Sequence, residues 1–188
     1  SYYDYIILGA DTTLTSTGGT STITLGNTVD GAYNLTVNNS SAINFAKAVG
    51  ATTALTSLTI GAGGTVYLNG LTVNTTNAQT YNASIVLGSD AILTSTNGSS
   101  TINLVNTVNG AYNLKVINSG LTVFGGAVGG TTALTSVTSN AGGVVRISGG
   151  LVQTTDMQSY GSLVLGADAA FNSTGGISEI KFNNVVDG

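Results

Sequence analysis

The acidic side chains are the residues of this sequence best suited to chemistry, because the 188-residue chain contains no His and no Cys. An imidazole base, a thiolate nucleophile, a disulfide and the usual zinc or haem ligands are therefore excluded. Glycoside-cleaving enzymes need two carboxylates within roughly 5 to 10 Å of each other, and Asp168 and Glu179 are the pair to consider. Glu179 is the single Glu of the chain, and one isolated acid does not make such a pair. We predict that the protein is not an enzyme and has no catalytic residues.

Metal binding is the second chemistry that acidic residues suggest. Side chains at equivalent places of an internal repeat form two sets, Asp11, Asp90 and Asp168 in one and Asp30, Asn109 and Asp187 in the other. A calcium-binding solenoid carries a Gly-Gly-x-Gly-x-Asp type motif in every turn, and that motif is missing here. We expect turn positions in which the side chain accepts backbone hydrogen bonds, and we predict neither a metal site nor a cofactor.

Tyrosine rings are the remaining candidates for ligand contact. Tyr33 and Tyr112 occupy one matching place of the repeat, and Tyr81 matches Tyr2 and Tyr160 at another. Tyr33, Tyr112 and Tyr81 are candidate platforms for stacking against a glycan. The alternative is that these rings pack at corners, half-buried, with the hydroxyl group in water. The sequence leaves both interpretations open.

Charge and hydropathy exclude two further classes of partner. The formal net charge is −4, and the four basic residues are scattered singly: Lys47, Lys115, Arg146 and Lys181. Such a distribution offers no basic stripe for phosphates, so nucleic acid is not expected as a partner. Polar residues interrupt every apolar run well before the roughly 20 residues that span a bilayer, so membrane insertion is not expected either.

An internal repeat organises the chain. Residues 1–79 match residues 80–158 at roughly six positions in ten, and residues 159–188 begin a third, partial copy. The longest shared block, Thr52-Thr53-Ala54-Leu55-Thr56-Ser57, returns unchanged at residues 131–136. The partial copy is too short for an immunoglobulin-like sandwich, whereas a solenoid ends after any turn. We therefore predict one continuous β-solenoid over residues 1–188.

Short strands are predicted throughout by period-two alternation of apolar residues. Typical triplets are Leu35-Thr36-Val37 and Val66-Tyr67-Leu68, and the second copy replaces the central Thr36 by Lys115 and the central Tyr67 by Arg146. Charges therefore enter only at positions that should face water. Glycine-rich and Asn-Gly pairs separate these segments and predict corners.

These features predict a parallel β-helix of about seven coils, with three coils of about 26 residues in each repeat. The absence of Pro fits such a fold, because nearly every strand N–H would pair with a neighbouring coil. Open strand edges at the two ends invite association. We expect the partners to be copies of the same chain or further repeats of it, joined end to end.

The segment from Ala48 to Thr96, which contains TTALTSLTIGAGGTVYLNGLTVNTT, resembles the repeats of filamentous-haemagglutinin-like bacterial adhesins and related beta-strand-repeat surface proteins. The similarity covers essentially the whole chain and is compositional and periodic. The resemblance implies a right-handed β-helical shaft, secretion to the bacterial cell surface or beyond it, and a role in adhesion or in an extracellular filament. For an adhesin, host or matrix glycans are the partners that the candidate tyrosine platforms would bind.

An ice-binding face is a further alternative, suggested by Thr13-Leu14-Thr15-Ser16-Thr17 and Thr22-Ile23-Thr24. If Thr15-Ser16-Thr17 lies on the second strand of its coil, we expect Phe45-Ala46-Lys47 and Tyr67-Leu68-Asn69 to lie above it. On that stacking no continuous threonine surface results.

Overall fold

Short parallel strands, none longer than six residues, make up the computed structural model, which describes residues 1–140, 142–176 and 178–188. In these ranges there are 24 strands and no helix. Successive strands turn onto three different sheets and then return to the first, so the chain winds as a β-solenoid. The predicted all-β parallel β-helix is therefore confirmed.

Each of the three sheets is called a face, numbered in the order in which the chain first meets it. Face 1 holds β1 (Ile6–Ile7), β4 (Val29–Asp30), β9 (Thr72–Thr75), β12 (Ala91–Ser95), β15 (Asn113–Asn118), β17 (Ser136–Ser139), β20 (Gln158–Tyr160) and β23 (Ile180–Phe182). Face 2 holds β2 (Thr12–Ser16), β5 (Asn34–Asn39), β7 (Ser57–Ile60), β10 (Gln79–Tyr81), β13 (Thr101–Leu104), β16 (Leu121–Phe124), β18 (Val144–Ile147), β21 (Ser162–Leu165) and β24 (Val186–Asp187). Face 3 holds β3 (Thr22–Leu25), β6 (Ala42–Phe45), β8 (Thr65–Leu68), β11 (Ser84–Leu87), β14 (Val108–Asn109), β19 (Leu151–Thr154) and β22 (Ala170–Ser173).

Face 2 is one unbroken nine-stranded sheet, whereas single-residue bridges complete the other two faces. Val49 pairs with Val29 and Val73 and so links β4 to β9 on face 1. Val128 links β14 to β19 on face 3 in the same way. The two bridging residues occupy equivalent places in the two copies of the repeat.

The alternation predicted from sequence is the alternation that the structure shows. Leu35 and Val37 on β5 point into the core, with 1% and 0% of their surface exposed, while Thr36 between them faces outward. Lys115 and Arg146 are exposed and lie between buried neighbours. Because successive strand residues point to opposite sides, the period-two pattern settles which residues form the core.

The number of turns differs from the prediction. The solenoid makes about eight turns of about 23 residues, so the predicted seven longer coils are corrected. Neighbouring turns also differ in length: Ile6 pairs with Val29, whereas Ile23 pairs with Ile43, which is a shorter offset along the chain. Corner lengths set these offsets, and a strand pattern carries no information about them.

One repeat therefore does not span three turns. From β1 on face 1 to its copy β11 on face 3, the chain takes eleven steps from face to face, with Val49 counted as one strand position. Eleven steps are three turns and two thirds of a fourth. Equivalent residues of the first and second copies consequently lie on different faces, a third of a turn apart.

Two loops leave the solenoid in the middle of a face. Val49 and Leu55 pair with Val73 and Thr75, so residues 50–54 bulge out where the neighbouring strand has the single residue Asn74. The second copy has the same bulge at residues 129–133, on face 3. Gly50 has a φ of +67°, a conformation that disfavours a side chain, and its equivalent Gly129 has +74°. We call residues 50–54 and 129–133 the excursion loops.

Candidate functional site

Three polar side chains form a hydrogen-bonded column at the corner where the chain enters face 2 in the first turns. They are Asp11, just before β2, Asn34 at the start of β5, and Ser57 at the start of β7. Asp11 Oδ1 accepts the backbone N–H of Asn34 at 2.9 Å, and Asp11 Oδ2 accepts the Asn34 side-chain amide at 2.8 Å. Ser57 Oγ in the next turn donates to Asn34 Oδ1 at 2.6 Å. The backbone N–H of Asn34, and then its side chain, hold the pKa of the Asp11 carboxyl below its ordinary value of 3.8. The column links three successive turns at one corner.

The second copy repeats this column at another corner. Asp90 Oδ1 accepts the backbone N–H of Asn113 at 3.0 Å, and Ser136 Oγ donates to Asn113 Oδ1 at 2.6 Å. Hydrogen bonds from Asn113 likewise lower the pKa of Asp90. Asp11 precedes a face 2 strand and Asp90 precedes a face 1 strand, so the two carboxylates lie at different corners. The predicted three whole coils per repeat would have placed them at the same corner.

Asp30 and Asn109 anchor the excursion loops. Asp30 Oδ1 accepts the backbone N–H groups of Thr52 at 2.8 Å and Thr53 at 3.0 Å. In the second copy, Asn109 Oδ1 accepts the N–H groups of the equivalent threonines, Thr131 and Thr132, at 2.8 and 3.1 Å. A neutral amide thus replaces the carboxylate with the same acceptor geometry. These contacts agree with the expectation that the recurring Asp and Asn side chains accept backbone hydrogen bonds at turns.

The two acids considered as an enzyme pair belong to different corners. Asp168 precedes β22 on face 3 and lines a cleft of about 650 Å³ with Leu165, Val186 and Asp187. Glu179 follows that strand and directly precedes β23, where its backbone carbonyl accepts the N–H of Gln158 at 2.8 Å. The absence of enzyme activity stays a prediction. Across residues 1–140, 142–176 and 178–188, no three carboxylates gather as metal ligands would.

The three candidate tyrosines fall into two environments. Tyr81 has 0% of its surface exposed, so its ring presents no face to a glycan, and that candidate is corrected. Tyr81 points into the core because it lies two residues after the inward-pointing Gln79 on β10, and its hydroxyl donates to Gln79 Oε1 at 3.0 Å. Tyr33 and Tyr112 are each 39% exposed and precede the Asn34 and Asn113 strands.

Two further side chains were not among the candidates from the sequence, although the outward direction of Tyr67 was predicted. Tyr67 is 39% exposed on the outer side of face 3, beside Asn44 and Val86 in the neighbouring strands. Its central place in an apolar triplet was the available signal. The other is the buried Gln79, whose side-chain amide donates to the carbonyl groups of Val73 and Thr94 at 3.1 and 2.8 Å.

A threonine ladder runs up the outer side of face 2. Thr13, Thr36, Thr59 and Thr80 are direct strand partners in four successive turns, and Asn103 follows. This ladder was not predicted from the sequence, and the break expected above Thr15 involves other residues than the two predicted. Thr15 pairs with Asn38, not with Phe45 or Tyr67, because those two residues lie on face 3.

The two ends of the solenoid expose apolar residues. At the first turns, Ile6, Leu8, Leu14 and Leu25 line a cleft of about 250 Å³. Ile7 is 70% exposed there, and Val185 is 69% exposed at the opposite end. The outermost strands of face 2, β2 and β24, each have a neighbour on one side only.

Comparisons with protein-family models, with curated proteins and with solved structures gave no match. In the part of the chain that the structure describes, no helix is long and apolar enough to cross a membrane.

Proposed function

We propose that this chain is a structural repeat segment of a secreted or cell-surface bacterial adhesin or extracellular filament. It supplies a rigid rod whose ends accept further turns of the same fold, from a second copy or from further repeats. The resemblance of its repeats to adhesin shafts supports the extracellular placement. The main support for a rod is the strand pairing of face 2, which is continuous from β2 to β24.

The rod gains its stiffness from the backbone. Interior strands exchange main-chain hydrogen bonds with the turns on both sides, as in Asn69 N–H to Phe45 carbonyl and Gly88 N–H to Leu68 carbonyl, both at 2.9 Å. Within the described residues, every buried side-chain nitrogen or oxygen has a hydrogen-bond partner. The fold has hydrogen-bond partners for its buried polar atoms and few charged residues on its surface. These properties suit a structural rod better than an enzyme.

End-to-end joining follows from the two outermost turns. Unpaired strand edges pair readily with other strands, and here the edges border exposed apolar residues such as Ile7 and Val185. A further β-turn stacked on either end would cover both the edge and the apolar surface. The occupant that fits best is therefore another turn of this solenoid.

Charged residues at the two ends test this proposal. We expect Ile7→Lys with Val185→Lys to abolish concentration-dependent elongation in sedimentation velocity and electron microscopy, because lysines at an edge oppose strand addition. Ile92→Lys with Ile117→Lys is the matched control, since both residues face outward in the middle of face 1. Elongation that persists in the end variant, or that stops equally in the control, contradicts end-to-end joining.

Glycan binding is the second candidate, and the corners at Tyr33 and Tyr112 favour it. Each ring is partly exposed and adjoins an Asp–Asn–Ser column that would offer polar groups to sugar hydroxyls. Loss of glycan-array signal in Tyr33→Ala with Tyr112→Ala, but not in Tyr67→Ala, would support it. Tyr67 is the control because its exposure is the same, 39%. Absence of any signal from the unaltered protein removes this candidate.

The threonine ladder favours a third candidate, an ice-binding face. Thr36→Lys is the sharpest probe, because the second copy carries Lys115 at that position and the fold accepts it. Thermal hysteresis that the unaltered protein shows and Thr36→Lys lacks would support ice binding. Equal freezing behaviour of the two proteins rules it out.

A further inference from the structure

The outward side chains of the repeat do not stay on one face. In the first copy, one outward column occupies face 2, as Thr13, Thr36, Thr59 and Thr80. One repeat later, the equivalent column occupies face 1, as Ile92, Lys115, Thr138 and Ser159. The third, partial copy begins it on face 3 at Ala170, whose strand partner is Leu151. The column thus moves by one face at each repeat.

Strands from different parts of the repeat therefore follow one another on each face. Above Thr80, face 2 continues with residues from other parts of the repeat: Asn103, Val123, Arg146 and Val164. Had each repeat filled three whole turns, equivalent residues would have stacked on one face, copy after copy. The extra two thirds of a turn prevents that stacking.

Long ladders of identical side chains are what parallel sheets use to pack against each other. Such ladders interdigitate into dry interfaces when two sheets meet in register. Face 2 of this solenoid exposes Val144 at 38% beside its ladder, and Val105, directly after β13, is 39% exposed. Arg146 lies among them, between Val123 and Val164 in the column. Above Thr80, a second copy alongside face 2 would meet a different residue type at each successive turn.

We propose that the change of residue type from turn to turn along the outer faces keeps neighbouring rods from packing side by side. Association is then directed to the ends, where apolar surface and unpaired edges coincide. The width of the assemblies is set by packing between rods and is separate from end-to-end joining, which sets their length. The only partner involved is a second copy of this chain.

A variant with one uniform face tests the proposal. Four threonine substitutions in the outward column of face 2 would extend the ladder over eight successive turns: Asn103→Thr, Val123→Thr, Arg146→Thr and Val164→Thr. We expect wide bundles in electron micrographs and an onset of light scattering at about tenfold lower protein concentration than in the control. Threonine is more polar than the two valines that it replaces, so added hydrophobicity would not explain the bundles.

The control protein loses the same positive charge, but its four substitutions are distributed over the three faces. It combines Arg146→Thr with three outward substitutions elsewhere: Val86→Thr, Ile92→Thr and Asn172→Thr. Single rods from the uniform variant overturn the proposal, and so does equal bundling by the control. Particle length reports end-to-end joining separately from particle width.

A second variant decides the question if circular dichroism shows the first to be unfolded. Ile92→Thr, Lys115→Thr and Lys181→Thr would make face 1 uniform from Thr72 upward, interrupted by Ser159 alone. Its control is Val86→Thr with Lys47→Thr and Lys181→Thr, which removes the same number of positive charges. Bundling of the face 1 variant alone supports the proposal, and its absence overturns it.

Discussion

The hydroxyl of Tyr81 donates a hydrogen bond to Gln79 Oε1 at 3.0 Å, and both residues are fully buried on β10. The same pair recurs in the second copy, where Tyr160 donates to Gln158 Oε1 at 3.0 Å. Gln79 also donates to the carbonyl groups of Val73 on β9 and Thr94 on β12, two neighbouring strands of face 1. This residue pair therefore ties face 1 to face 2 inside the rod.

We expect Tyr81→Phe to lower the free energy of unfolding by about 1–3 kcal/mol, because Gln79 Oε1 would be left buried without a donor. Denaturant titration followed by circular dichroism measures the change. Tyr33→Phe is the control, since Tyr33 is 39% exposed. Equal stability of Tyr81→Phe and the unaltered protein would show that the hydrogen bond contributes nothing.

Alkaline pH should destabilise the fold through the same tyrosines. Burial raises the pKa of the Tyr81 and Tyr160 hydroxyl groups above their ordinary value of 10.0. Their contribution to stability is complete below the unfolded-state pKa of 10.0 and declines as the pH rises above it, because the unfolded chain then releases protons more readily. Thermal melting from about pH 8 to about pH 12 checks this, since that range brackets the ordinary pKa of tyrosine. A Tyr81→Phe, Tyr160→Phe protein should show a flatter profile.

The anchor of the first excursion loop should tolerate an amide but not a methyl group. Asp30→Asn reproduces the natural arrangement of Asn109 and should leave stability nearly unchanged. Asp30→Ala removes the acceptor of two backbone N–H groups and should cost about 1–3 kcal/mol. Chemical denaturation measures both variants. If the alanine and asparagine variants are equally stable, Asp30 does not anchor the loop.

Replacing glycine by alanine should destabilise some corners of the solenoid and not others. Gly64 has a φ of +71°, and a Cβ there would overlap the carbonyl oxygen of Ser41 in the preceding turn. We expect Gly64→Ala to lower the free energy of unfolding by about 1–3 kcal/mol or more. A Cβ on Gly9 meets nothing within 4 Å, so Gly9→Ala is the matched control. The melting temperatures of the two variants distinguish a strained corner from an open one.

Much of the fold was predictable because burial in a strand depends on local alternation. The exchange of Thr36 for Lys115 between copies marked an outward position without reference to any neighbour, and the structure agrees. The turn roles of Asp30 and Asn109 were expected from residue type alone, whereas their loop partners were not. Tyr81 was misjudged because the inward position two residues before it holds a polar side chain, Gln79, which hides the alternation of β10 in the sequence.

The sequence by itself determined an all-β chain with an inward and an outward side, an internal repeat, and glycine corners. Only the tertiary structure decided which residue lies above which: about eight turns instead of seven, and a repeat that ends two thirds of the way through a turn. The physical reason is that alternation is a property of each strand, whereas the pairing of turns depends on how many residues each corner takes up. The offset from Ile6 to Val29 and the shorter offset from Ile23 to Ile43 both close a turn, and no local pattern distinguishes them.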